Sequence, residues 1–396
     1  MSHIDDLIKK LAPDGVQFKT LGDVGEFIRG SGLQKSDLTE DGAPAIHYGQ
    51  IHTYYGTWSD TTKSFTHPSL AAKLRRAKPG DLIIATTSED DAAVAKATAW
   101  IGEGEVAVSG DAYIYHHSLD SKYVSYFFQS KQFQDQKIRH ITGTKVRRIS
   151  GENLARIRIP TPPLEVQQEV VRVLGRFEYL ERELRSELDA EVAARRAQYL
   201  HYRDSVLAFT ESDGTSWSTF PEIAKNLDSK RKPVTRSERE AGEIPYYGAS
   251  GIVDYVSEHI FDGDYLLVSE DGANLIARSS PIAFSISGKA WVNNHAHVLE
   301  FSTKAQRRFV EIYLNSIDLS PFVTGGAQAK LSQANLNRIP IPVPSIEEQD
   351  RVVTLLDQFK ETVEDLSSSL SAERVDRRKQ YEYYRDRLLT FKEVAA

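Results

Sequence analysis

The sequence predicts an α+β protein: two similar α/β globular domains separated by two long helices that pair as an antiparallel coiled coil, in a pseudo-two-fold internal repeat. Three observations predict it. Residues 163–209 recur without a gap as 345–391, at a fixed offset of 182 residues. In that alignment Gln167 meets Gln349, Phe177 meets Phe359, and Tyr202-Arg203-Asp204 meets Tyr384-Arg385-Asp386. Both copies consist of good helix formers and contain no internal proline. The segments ahead of the copies also match each other, so the duplication covers the whole chain.

In chain order the domains are a first globular region (1–162), a long helix (163–209), a second globular region (210–344) and a second long helix (345–396). Residues 44–49 recur as 243–248, and a shorter loop then brings 80–85 against 263–268, a turn followed by a buried-type strand. Residues 88–90 echo 269–271, and 108–113 echo 292–297. Residues 123–128 and 309–314 each predict a short amphipathic helix, followed by a loop with glycine and basic residues. Proline-rich exits at 157–163 and 339–344 end each globular region, because proline tolerates an edge strand and stops a helix growing backwards.

In the second long helix Val352, Leu356, Phe359, Val363, Leu366 and Leu370 form a heptad seam. In the first, Val170, Leu174, Phe177, Leu184 and Leu188 hold it, with Glu181 as an interruption. About 45 helical residues give a rod of roughly 65 Å, and one apolar stripe needs a partner. The nearest partner is the other copy. An antiparallel pair lets the intervening segment fold locally, whereas a parallel pair would send it back along the rod.

Net charge is −7, but basic residues are concentrated. Residues 137–158 hold seven Lys/Arg against Glu152, and 225–236 hold five against Asp228. A local basic footprint matters more than the sum. With no cysteine, disulfides and thiolate metal sites are excluded. No stretch approaches the ~20 apolar residues of a membrane span, and residues 1–15 do not read as a signal peptide. A cytoplasmic location is expected.

Catalytic signatures are missing. There is no phosphate-binding GxxxxGK[ST], no HExxH, no GxSxG and no [ND]PP[YF] tetrapeptide of an amino-methylating enzyme. Gly102-Glu103-Gly104 reads as a hairpin turn. His295 and His297 on one strand face lack a third ligand, so no metal is expected. The carboxylates Glu89/Asp90 and Glu270/Asp271 read as turn or cap residues.

Two basic-loop domains on a fixed spacer suit a bipartite DNA site, whose half-sites on one face lie about 34–36 Å apart per turn. The chain resembles the DNA specificity (S) subunit of type I restriction–modification enzymes. Asn153-Leu154 with 157–160 and Gln167, and Asn335-Leu336 with 339–342 and Gln349, carry the resemblance, as does the Gln-Tyr-x-x-Tyr-Arg-Asp end of each helix. It implies two target recognition domains reading double-stranded DNA, spacer helices docking two methyltransferase subunits, and restriction subunits joining that core. It implies no catalytic site or cofactor in this chain; S-adenosylmethionine, ATP and Mg belong to the partners. Candidate DNA contacts are Lys73, Arg75, Arg76, Lys145, Arg147 and Arg148 in the first domain, and Lys230, Arg231, Lys232, Lys330 and Arg338 in the second. Candidate partner-facing residues are Leu174, Phe177, Leu184, Leu356, Phe359 and Leu366. The competing reading is a coiled-coil scaffold that binds no DNA; it predicts no salt-sensitive DNA affinity.

Overall fold

The computed structural model describes residues 2–210, 214–325 and 328–394; Gly326 and Ala327 of the second glycine loop lie outside them. The chain divides into two compact units, Met1–Glu187 with Ser371–Ala396, and Leu188–Leu370. Each unit therefore takes half of each long helix, a division that the sequence segments, with their intact helices, do not anticipate.

In the first unit a five-stranded sheet runs in the order Gly25–Arg29, Ala112–His117, Leu82–Ala85, Ala97–Trp100, Trp58–Ser59. In the second unit a six-stranded sheet runs in the order Ala224–Asn226, Ala296–Phe301, Phe261–Ser269, Ala283–Val292, Ala241–Gly248, Gly251–Val256. Ala283–Val292 replaces two strands of the first unit: it pairs with Phe261–Ser269 along most of its length and with Ala241–Gly248 at its end. The structure shifts one sequence match by a residue. Leu82 and Ile84 face the helix-side core of the first unit, as Leu266 and Val268 do in the second, whereas the alignment of 80–85 with 263–268 set Leu82 against Tyr265. Tyr265 belongs to the core on the other face, since a one-residue slip turns every strand side chain over.

The long helices span Leu164–Val206 and Ile346–Leu388, 43 residues each. Their starts are built alike. Gln167 is buried behind the proline exit and its amide donates to the Pro162 carbonyl at 2.8 Å; Gln349 donates to the Pro344 carbonyl at the same distance. Gln167 also accepts from the Asp120 amide at 2.9 Å, tying the helix start to the cap of helix Ser121–Gln129. The equivalent oxygen of Gln349 is buried with no hydrogen-bond partner among the described residues.

Inside each unit the helix halves run antiparallel. In the first, Phe177 stacks on Tyr384 with ring centres 5.5 Å apart, Tyr381 donates to Glu178, and Arg378 lies 3.7 Å from Glu181, so one number falls as the other rises. In the second, Tyr199 and Tyr202 both pack on Phe359, at 5.8 and 5.6 Å. The head of each seam has a different use from the one expected. Val170 and Leu174 are buried with Tyr123, Tyr126 and Phe127 in the core of the first unit, and Val352 and Leu356 with Phe309 in that of the second. The stripe begins as the helix's contribution to a globular core and becomes an interhelical seam farther along.

A polar lock fixes each globular part to its helices. Glu178 accepts from Thr57, from Tyr126 at 3.0 Å and from Tyr381 at 3.2 Å, so one carboxylate joins globular part and both helices. In the second unit Arg308 reaches Asp357 at 2.6 Å and pairs with Glu311, whose carboxylate also accepts from the Ser285 amide at 3.1 Å.

Candidate nucleic-acid interface

In each unit the recurring loops converge. In the first, the Tyr48 amide donates to Ser109 Oγ at 2.8 Å, and Thr86 Oγ1 donates to the Asp111 carbonyl at 3.0 Å. Strand Arg147–Arg148 pairs antiparallel with Thr87–Ser88, which carries the basic loop to the same place. A hollow of about 220 Å³ between these segments is lined by Arg29, Gln34, His47, Tyr48, Ser109 and Asp111. Burial lowers the His47 imidazole below its ordinary value, with the nearby Asp111 charge opposing.

The candidate cations of this unit have different fates. Lys145 and Arg148 are exposed. Arg147 is half-buried; its Nε lies 2.9 Å from Asp91 and its Nη1 donates to the Gly143 carbonyl at 2.6 Å. Arg75 donates to the Arg29 carbonyl at 2.6 Å, beside the hollow, and Arg76 pairs with Glu105 at 3.0 Å. Lys73 is exposed just after helix Pro68–Ala71.

The second unit ties the corresponding segments with a buried ionic network. Arg231 Nη1 lies 2.6 Å from Glu270 and donates to the Ala296 carbonyl at 2.8 Å; its Nη2 lies 3.3 Å from Asp228. Asp228 accepts from the Val298 amide at 2.8 Å and faces His297 Nδ1 at 2.6 Å. Lys330 reaches Glu270 at 3.3 Å. Burial alone would raise both carboxyls. For Asp228 the bond to His297, that ring's charge, the Val298 amide and Arg231 outweigh it; for Glu270 Arg231, His297 and Lys330 do, and both are held below the ordinary carboxylate value.

Asp228, Glu270 and His297 offer ligand atoms within 4.8 Å of one another, but the Arg231 guanidinium bonds both carboxylates, so a cation of the chain's own fills the cluster. Arg231, expected as a DNA contact, is tied internally to Asp228, Glu270 and the Ala296 carbonyl. Lys230, Lys232, Lys330 and Arg338 are exposed. Lys330 and Lys232 border the network; Arg338 follows helix Gln333–Leu336, apart from it. Asn294 and His295 are exposed at the same turn, with His295 held 2.8 Å from Asp271. The sequence marked His295 only as a metal candidate and 292–297 only as a repeated segment, and it gave no signal for Arg29 and Gln34 beside the first hollow.

The expected partner-facing residues have different surroundings along the helices. Leu174 and Leu356 are fully buried in the units' own cores, and Phe177 and Phe359 are occupied by Tyr384 and by Tyr199 with Tyr202. Leu184 and Leu366 are half-buried. Among the described residues, the large apolar groups that the helices expose are Leu164, Tyr179, Leu180, Val375 and Tyr383 in the first unit and Leu200, Tyr202 and Ile346 in the second. Among the described residues no helix is long and apolar enough to cross a membrane.

Two α/β units with one plan, each gathering recurrent loops into a polar, cation-bearing end and each taking half of two long helices, define a duplicated α/β domain protein. The type I restriction modification DNA specificity domain model matches residues 13–192 and 218–373, and the chain belongs to that family. It is 39% identical over 188 residues to a protein of Haemophilus influenzae named as a type I restriction enzyme specificity subunit, covering 46% of this chain and 48% of that one. It is 30% identical over 271 residues to the EcoR124I/EcoR124II specificity subunit of Escherichia coli, covering 61% and 65%. The chain thus spans about half to two-thirds of the length of these curated relatives. The fold matches a chain from a solved type I R-M system, TM-score 0.72 at 16% identity over 95% of this chain and 97% of that one. It also matches the HsdS subunit of Thermoanaerobacter tengcongensis, TM-score 0.59 at 16% identity over 96% and 97%.

Proposed function

We propose that the chain is the DNA specificity subunit of a type I restriction–modification complex. Each unit reads one half of a split double-stranded site, and the long helices set the gap between the halves. Two methyltransferase subunits dock on the helices through exposed groups such as Tyr179, Leu180, Tyr383 and Leu200, and restriction subunits join that core. The chain performs no chemistry; S-adenosylmethionine, ATP and Mg are bound by the partners. The observation that carries this reading is the recurrence, in both units, of one loop end with exposed cations beside polar side chains. Lys145 and Arg148 supply the cations in the first unit, and Lys232 and Lys330 in the second, beside Asn294 and His295. Cations there neutralise phosphates, while amides and imidazoles reach base edges in the major groove.

The test is DNA affinity of the chain assembled with its methyltransferase partner, measured against salt. Lys145→Ala with Arg148→Ala should weaken binding to all sequences and reduce the salt slope by about two, one for each phosphate no longer neutralised. An unchanged slope would remove these two residues from the interface. Absence of any salt-sensitive DNA affinity would favour a protein scaffold instead.

A further inference from the structure

Each ring nitrogen of the fully buried His297 faces an oxygen that can only accept. Nδ1 lies 2.6 Å from a carboxylate oxygen of Asp228, and Nε2 lies 2.8 Å from the carbonyl of Leu331. A neutral imidazole has one N–H, so it would turn a lone pair on one of these oxygens; only the imidazolium satisfies both. Asp228 begins the turn that carries Lys230 and Lys232, and Leu331 follows Lys330. The Leu331 amide in turn donates to the Glu270 carbonyl at 2.7 Å, and the Glu270 amide to the His295 carbonyl at 2.9 Å. One ring therefore ties together the segments bearing every exposed polar group assigned above to the second reader's loop end. Tyr113 stands at the matching position of the first unit, in strand Ala112–His117.

We propose that His297 is a positioning residue for the second reader, and that its doubly protonated ring holds the Lys232 and Lys330 loops in the DNA-binding arrangement. This rests on the functional reading above and adds a positioning role confined to one half-site. The charged groups that face the ring from the packed elements are Asp228, Glu270 at 3.8 Å, and, through those carboxylates, Arg231 and Lys330. With a proton on each nitrogen both ties are made; with only one, either Asp228 or the Leu331 carbonyl meets a lone pair and the loop on that side is released. Losing the ring therefore weakens reading of the second half-word, while reading of the first half-word is unaffected.

Two measurements on the full chain test this. The first uses no DNA: the ¹⁵N resonances of the histidine-labelled chain, with His297 identified by its loss in His297→Gln. Two protonated ring nitrogens at pH 7 are expected; one protonated and one bare nitrogen overturns the proposal even if the variant folds poorly. The second uses the chain assembled with its methyltransferase partner and a duplex carrying the full split site. His297→Gln should weaken binding about tenfold, the equivalent of one charge-assisted hydrogen bond, and relax the second half-word alone. A variant that loosens both half-words equally, or binds as the wild type does, overturns the proposal. A complex whose ring is doubly protonated but which binds no DNA at any pH instead refutes the DNA-reading function.

Discussion

Replacing Glu178 by alanine should unlock the first globular part from both long helices at once. The carboxylate is the shared acceptor for Thr57, Tyr126 and Tyr381, and the two tyrosines are buried. A hydrogen bond to a charged group contributes about 1.5–3 kcal/mol, and a buried donor left without an acceptor keeps its desolvation penalty. The three bonds share one group and do not add, so a loss of about 3 kcal/mol is expected. For a unit of roughly 200 residues that is a fall of about 6–12 °C in Tm. Glu178→Gln keeps an oxygen but no charge and should lose about half as much. Thermal melting gives the magnitude, and hydrogen exchange of the complete chain places it. Protection should drop in helix Ser121–Gln129 and stay unchanged in helix Lys304–Ser316 of the other unit. A variant that melts with the wild type, or loses protection equally in both helices, refutes this assignment of the lock.

Three further outcomes follow from particular groups. Burial pushes the phenols of Tyr115, Tyr123, Tyr126 and Tyr381 well above the ordinary tyrosine value. Their stabilisation is complete below about pH 10, where the unfolded phenol titrates, and is lost as pH rises beyond it; an alkaline titration followed by circular dichroism should show that loss concentrated in the first unit. Asp228 and Glu270 are held low, so their contribution exists above about pH 4 and disappears as pH falls through their folded values; Arg231→Met should flatten that acid limb in the second unit. Gln167→Leu should cost about 1 kcal/mol more than Gln349→Leu, because only Gln167 also serves the Asp120 amide; equal losses in urea titrations would contradict it.

The duplication was legible because it is written in aligned residues: the helix pair, its direction and the proline exits all follow from spacing and composition. The strand match at 80–85 missed by one residue because glycine and aspartate at a turn align well in either register, whereas only packing shows which side Leu82 and Leu266 face. The seam was legible as a stripe but not as a division of labour, since Leu174 inside a core and Phe177 against a helix are both simply apolar in sequence. Arg231 looked like its neighbours Lys230 and Lys232. Its withdrawal depends on Glu270, 39 residues along the chain, and no local pattern carries that pairing. The same holds for Glu178, whose donors Thr57 and Tyr381 lie 121 and 203 residues away.

The most direct test combines the assembled complex with matched insertions in both helices. The antiparallel pairing requires that they be lengthened together, so seven residues would be added after Glu187 and seven after Leu370, where each helix passes from one unit to the other. Seven residues add about 10 Å, close to three base pairs at about 3.4 Å each. Mapping modified bases across a genome should give a split motif with a constant gap for the original chain, and the same two half-words about three base pairs farther apart for the lengthened one. An unchanged gap, a contiguous motif or altered half-words would contradict a pair of readers spaced by the helices.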